Sequence, residues 1–287
     1  MKKWKYYNHA MIPTVAPNEI IDVEPLNDKQ FWRENKKALF ARWTSEFDCG
    51  YETNWWYVIK DKAFDLSALK SNYRYKINKG IKNFDVRVIN PEEYVDELYE
   101  VFTEAFESWP AKYRPQFTYI DAEKLVKKLS ADSVMVCYGA FYRETDELCG
   151  FMQVPTHEMY AELQVQRVKP AYEKLQINAA LVYGLLKSND AKLENGNFYI
   201  LDGARSISHE TNFQDYLEKY FGFRKAYCKL HIAYNPRVKW IVKMLFPFRK
   251  MLHRFDQIGF VHQINSVLYM EESCRSEAVS ENVFIQD

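Results

Sequence analysis

The sequence lacks a long hydrophobic run: no apolar stretch in its 287 residues approaches the roughly 20 that a membrane-spanning helix needs. The N-terminus, MKKWKYYNHAMIPT, is basic but has no apolar segment behind the charges, so no signal peptide is expected. Net charge is lacking too. Lys and Arg together number 39 and so do Asp and Glu, so bulk charge gives no reason to expect DNA as a partner. Cysteines in pairs are also missing. The five, at positions 49, 137, 149, 228 and 274, are odd in number and never in CxxC spacing. That argues against a disulfide framework and a metal site, and for reduced thiols in a cytoplasmic chain. Internal repeats and low-complexity segments are absent.

What is present is the balance of a globular chain, with 47% hydrophobic and 27% charged residues. Tyr 21, Phe 19 and Trp 7 promise a dense aromatic core. The length is near the upper limit for one core, so the expectation is one large domain or one domain with appendages. Prolines 13, 17 and 25 suggest an extended, surface-hugging start. Phe31, Trp32, Leu39, Phe40 and Trp43 recur at helical spacing between Asn27 and Phe47. WWYVI (55–59) and FDVRVI (84–89) read as strands around a basic helix from Asp65 to Lys82. A helix starts at Asn90 with Pro91 first, and 121–130 suggests another. Strands follow at 133–143, 148–155 and 160–168, then a helix from Ala171 or Gln176 to Ser188. A strand at 197–201, a helix from Asn212 closed by Gly222, and a strand at 224–234 come next. A helix from Pro236 to about Phe255, kinked at Pro247, and a polar tail after Met270 complete the chain. The expected division is an N-terminal extension (1–63), a central domain (64–235), and a C-terminal basic amphipathic helix with its tail (236–287).

From residue 84 the order is β-α-α-β-β-β-α-β-α-β, an α/β or α+β pattern with a mixed sheet. That order, with VKPAYEKLQINAALVYGLL after the third meander strand, resembles the GCN5-related N-acetyltransferase (GNAT) fold. LKSNYRYKINKGIKNFDVRVI and YLEKYFGFRKAY resemble its FemAB-like branch, and the resemblance covers about 64 to 234. It implies a mixed, mostly antiparallel central sheet flanked by helices, and transfer of acyl or aminoacyl groups. It also implies a donor loop at Lys174, Gln176, Ile177 and Asn178, for acetyl-coenzyme A or another acyl-coenzyme A. Here Glu173, Gln176 and Asn178 stand where the family has Arg, Gly and Gly or Ala, so an aminoacyl-tRNA donor stays open. The family's acid, a Tyr four residues before the helix-ending Gly, falls on Glu218, with Tyr216 and Tyr220 to either side.

The polar segment ILDGARSISHETNFQDYL (200–217) follows the strand that would splay in this fold. One reading makes Asp202, Arg205, His209, Glu210 and Asn212 an active-site wall, with His209 or Glu210 as base and Tyr216 or Tyr220 as acid. The other reading is a capped loop with Thr211 at the helix start. Arg74, with Lys70 and Lys76, is either a phosphate grip or a solvated face. Gln153 and Gln164 could orient a substrate if they face the cleft. PRVKWIVKMLFPFRKMLHRF (236–255) is either an interfacial helix on anionic lipid at the inner membrane face or a packed helix with basic rims. The functional expectation is acyl or aminoacyl transfer to an amine or hydroxyl, on a small-molecule or lipid-linked acceptor, in cell-envelope or surface-glycan synthesis. The alternative is a non-catalytic binding protein on the same fold.

Overall fold

A computed structural model describes residues 3–205 and 212–284, with side chains to residue 276. Trp4–Tyr7 (β1) and Ala10–Pro13 (β2) pair antiparallel. Asn8 and His9 between them sit at φ 43° and 64°, the left-handed pair that a two-residue hairpin needs for its twist. The start of the chain is therefore strand, with Trp4, Ala10 and Met11 buried, and not a surface strap. The helix expected over 27–47 also divides. Asp28 caps α1 (Lys29–Glu34), accepting from the Gln30 N–H at 2.8 Å, while Phe40–Ser45 is a strand, β3. Trp43 belongs to the sheet, where its ring stacks on His231 at 5.3 Å.

β4 (Trp55–Lys60) agrees with the strand reading. The basic helix, α2 (Ser71–Asn83), begins only after a separate 3-10 turn at Leu66–Ala68. Then come β5 (Phe84–Ile89), α3 (Val95–Glu107) and α4 (Tyr119–Ser130). α4 opens on a capping box between Thr118 and Asp121. β6 (Met135–Tyr142) and β7 (Glu147–Pro155) form the expected hairpin. The alternating stretch 160–168 is two strands, β8 (Tyr160–Glu162) and β9 (Val165–Val168). Next are α5 (Ile177–Ser188), the short α6 (Asp190–Glu194), β10 (Tyr199–Ala204) and α7 (Phe213–Phe221). Gly222, at φ 64°, ends α7 in the left-handed conformation that a residue with a Cβ resists. β11 (Arg224–Tyr234), α8 (Pro236–Leu245), α9 (Arg249–His253) and α10 (Gly259–Phe284) complete the described chain. The 3-10 turn Phe246–Phe248 is the break expected at Pro247. The polar tail after Met270 is helical to Phe284, as the second part of α10.

The strand order is β1-β2-β3-β11-β4-β10-β8 in a mixed seven-stranded sheet and β5-β6-β7-β9 in a four-stranded one. β8 separates from β9 by changing partner: β8 pairs parallel with β10, Leu201 opposite Glu162, and β9 pairs antiparallel with β7, Gln153 opposite Val165. The result is a mixed α/β, GNAT-like architecture. The described residues fall into two units, one of 3–57, 204–205 and 225–284, the other of 58–203 and 212–224. In the second, α3 and α4 pack on one face of the four-stranded sheet through Leu98, Phe102, Val126 and Phe151. α5 packs on the other, where a Cβ added at Gly150 would lie 3.0 Å from Ile177 and 3.2 Å from Leu181. In the first unit, Trp4, Ile21, Trp32 and Ala41 form one cluster and Phe40, Trp55, Leu230 and Met270 another.

Candidate functional site

β10 is buried at Tyr199, Ile200 and Leu201 and then turns polar at Asp202. Burial penalises the Asp202 carboxylate. A side-chain hydrogen bond from Gln214, in the first turn of α7, opposes that, and the charge of Glu162 on β8 adds to it. The balance lifts the Asp202 pKa from 3.8 to about 7. Gln164 in turn donates to the Glu162 carboxylate at 3.1 Å and lies at the surface. A carboxyl that titrates near neutrality beside a second one is suited to moving a proton.

Two residues beyond Gln214, α7 presents Tyr216, whose hydroxyl is pushed well above the usual tyrosine range by burial and by Tyr220. It stays protonated and can act only as a donor or a neutral acceptor. Tyr220 lies one turn on, its ring 4.9 Å from that of Tyr216 and 4.7 Å from that of Tyr73 on α2. Lys76 donates to the Tyr220 hydroxyl at 3.0 Å and stands 5.2 Å from its ring. The basic helix therefore reaches the tyrosine pair through Lys76. Arg74 instead donates to the Ser67 carbonyl at 3.1 Å, closing the turn ahead of α2.

The segment expected to be the donor loop is a 3-10 turn, Pro170–Leu175, followed by Gln176 at φ 69° and then α5. Gly80 of α2 lies directly over it, so that a Cβ there would be 2.6 Å from the Gln176 carbonyl oxygen. Ile177 is fully buried. Asn178 spends its side-chain oxygen on Gln166, at 2.6 Å. Lys174 and Glu173 are exposed. A pyrophosphate needs bare backbone N–H groups at a helix start and a cation nearby. An exposed glutamate, a full side chain at Gln176 and an engaged Asn178 fit it poorly.

Three cations in this unit were not apparent from the sequence. Lys169, just before the loop, is buried with its ammonium 2.8 Å from Glu147, 2.9 Å from Glu100 and 3.5 Å from Glu104. Burial alone would lower its pKa, but the hydrogen bonds to Glu147 and Glu100 raise it. Tyr172 donates to the same Glu147 at 2.7 Å, so the cluster holds the turn just before its start and at its middle. Arg167 lies 5.6 Å from the Phe106 ring and 5.2 Å from the Trp109 ring, with its buried Nε unpartnered. It pairs with no carboxylate among the described residues, an arrangement suited to receiving an anion. Lys60, at the end of β4, is buried and its charged form is disfavoured by that burial. Its ammonium sits against the C-terminal end of α7, 3.7 Å from where Gly222 would carry a Cβ. The partial negative charge of a helix end favours a cation there.

The remaining sequence candidates are scattered. His209 and Glu210 lie outside the described residues. Asn212 is the exposed N-cap residue of α7. Gln153 is buried opposite Cys137 on β6, on the face covered by α3 and α4. Arg205 belongs to the first unit. There its guanidinium lies 4.2 Å from the Trp56 ring and 5.0 Å from the Tyr269 ring and donates to the Asn54 carbonyl at 2.8 Å. A cavity of about 260 Å³ opens along α5 and β5, lined by Asp85, Arg143, Gly184 and Lys187, and includes none of the site residues. Among the described residues no group of His, Cys, Asp and Glu could hold a metal ion.

No protein-family model and no curated protein matches the chain. Among the solved structures that resemble it, two align over most of the chain with TM-scores above 0.5. L-PGS from Bacillus licheniformis aligns over 84% of this chain and 83% of its own, at 16% identity and a TM-score of 0.53. The C-terminal domain (DUF2156) of a putative lysylphosphatidylglycerol synthetase from Agrobacterium fabrum aligns over 84% and 82%, at 12% identity and a TM-score of 0.51. At such identities the likeness is one of fold.

Proposed function

We propose that the chain transfers an aminoacyl group from an activated ester to a hydroxyl carried on a lipid, with Asp202 as the base. The observation that carries this reading is the Asp202 carboxyl, held by burial and Glu162 at a pKa of about 7 at the end of β10. A hydroxyl is a poor nucleophile until its proton is removed, and a base matched to neutral pH removes it best. In the reaction, the acceptor oxygen bonds to the donor's carbonyl carbon while its proton passes to Asp202. Backbone N–H groups along the outer edge of β9, the last strand of its sheet, receive the oxyanion. The intermediate then expels the donor's ester oxygen, which takes the Tyr216 proton. The proton on Asp202 restores the tyrosine through solvent.

The choice of donor rests on the loop. Glu173, Gln176 and the engaged Asn178 disfavour a pyrophosphate, whereas an aminoacyl-tRNA needs no contact there. The lipid acceptor is supported by the second fold relative, which is named as a putative lysylphosphatidylglycerol synthetase, an aminoacylated phospholipid being its named product. The test supplies lysyl-tRNA or acyl-coenzyme A, each with detergent-dispersed phosphatidylglycerol, and separates the lipid products. Product is expected from the aminoacyl-tRNA, with Asp202→Asn slower by roughly 10²- to 10⁴-fold. Product from the thioester alone would overturn the donor, and an Asp202→Asn variant as fast as wild type would overturn the base. No product from either pair, and no thermal shift with coenzyme A, would favour a binding protein. A ligand at 100 times its Kd should stabilise by about 2.7 kcal/mol.

A further inference from the structure

We infer that α8, α9 and the turn between them form a docking face for the surface of a bilayer containing anionic phospholipid. Trp240 and Met244 stand one turn apart on α8, Phe248 ends the 3-10 turn, Met251 lies on α9 and Phe255 follows it by two residues. All five are exposed, Trp240 by 74% and Met244 by 64%. A soluble surface does not ordinarily gather so many large apolar groups without a partner. The charges beside them identify that partner. Lys239 and Lys243 on α8, Lys250 on α9 and Arg254 at its C-cap each stand one residue before one of these apolar groups, so the basic and apolar side chains alternate along both helices. Each is exposed, and none has a carboxylate partner among the described residues.

Other residues of the element tie it to the rest of the first unit. Asn235 caps α8 and donates to the Ala38 carbonyl at 3.1 Å. Val242 is buried. Arg249, unlike its basic neighbours, is paired with Glu272 on α10 at 2.8 Å, and Arg275 lies 3.9 Å from the Phe246 ring. Among the described residues no helix is long and apolar enough to cross a membrane, so contact through this face is interfacial. Aromatic and thioether side chains enter the headgroup boundary while the basic side chains meet lipid phosphates. A protein partner would need carboxylates flanking an apolar groove, whereas an anionic bilayer offers both without further design. The inference adds a membrane face to the proposed reaction but does not depend on turnover.

The test is flotation of the full chain with vesicles of phosphatidylcholine, with or without phosphatidylglycerol, from about 0.01 M to about 1 M salt. Over that range the screening length falls from about 30 Å to about 3 Å. The wild type is expected to float with the phosphatidylglycerol vesicles at low salt and to be released at high salt. A Lys239→Gln, Lys243→Gln, Lys250→Gln, Arg254→Gln variant should bind on the order of a hundredfold or more weaker. A Trp240→Ser, Met244→Ser, Phe248→Ser variant should lose binding at every salt concentration. Circular dichroism melts confirm that each variant is folded. Failure of the wild type to float at low salt would overturn the inference, as would flotation of both folded variants like wild type. So would a wild-type dimer that the apolar variant dissociates without any vesicle binding. Aminoacyl transfer to detergent-dispersed lipid is measured separately, so loss of the one does not imply loss of the other.

Discussion

The buried carboxyl of Asp202 costs the folded chain stability. In the unfolded chain its carboxyl ionises near 3.8, and in the fold near 7. Below the first value both states hold the proton and there is no penalty. Between the two the folded state holds a proton that the unfolded state has released, so stability falls as pH rises, by about 1.4 kcal/mol per pH unit from this group. Above about 7 both states are ionised and the whole penalty, about 4 kcal/mol, applies. Asp202→Asn should remove that slope. Melting curves of variant and wild type should be close at pH 4 and separate progressively toward pH 8, the variant being the more stable. A difference that stays constant with pH would mean the carboxyl is not shifted. The same titration should give kcat/KM a limb that rises with pH toward a plateau above about 7, because the base acts only when ionised.

Packing of α2 onto the turn before α5 depends on one glycine. In an exposed helix, Gly→Ala stabilises by about 1 kcal/mol. At Gly80 the new Cβ would meet the Gln176 carbonyl oxygen at 2.6 Å and the Ala180 nitrogen at 3.0 Å, neither of which can yield as a side-chain tip can. Overpacking of that kind costs about 1–3 kcal/mol, so Gly80→Ala should be destabilising in urea titrations. Gly259→Ala, at the first residue of α10 with nothing within 4 Å, serves as the control and should be neutral or better. The elements that carry this packing were legible in the sequence, because β4, β6, β7 and β10 are short apolar runs, β5 and β11 alternate in sequence, and most helices follow a period of 3.6. The β1–β2 hairpin was not, since Asn8-His9 takes the left-handed turn without a glycine to announce it. Nor was α10, whose inner side includes Ser273 and Cys274 and so has no plain apolar stripe. Alternation over 160–168 could not reveal that β8 and β9 have different partners. At the site, Asp202 and the two tyrosines stood out as polar groups beside an apolar strand and a helix. The raised pKa of Asp202 comes from burial and from Glu162, forty residues earlier in sequence, and no local pattern carries that. Lys60, Arg167 and Lys169 were missed for the same reason, since a charged residue in a sequence reads as solvated until its surroundings are known.

The whole molecule is neutral without being evenly charged. Net charge is zero and the isoelectric point about 7.0, yet residues 236–255 hold six Lys and Arg and no Asp or Glu. The rest of the chain must then carry six more acidic than basic residues. A neutral protein with interspersed charges has no reason to bind an ion exchanger at its isoelectric point. One with a segregated basic segment presents that segment to any anionic surface, because the local field and not the sum governs contact within a screening length of about 10 Å at 0.1 M salt. The chain should therefore be retained on a cation exchanger at pH 7 and low salt, and elute as salt rises. With Lys239, Lys243, Lys250 and Arg254 all changed to Gln it should pass through. Passage of the wild type through the column would mean that its charges are not segregated enough to steer it to a surface. Retention of the four-residue variant would place the steering field elsewhere on the chain, and the basic segment of α8 and α9 would lose its distinguishing role.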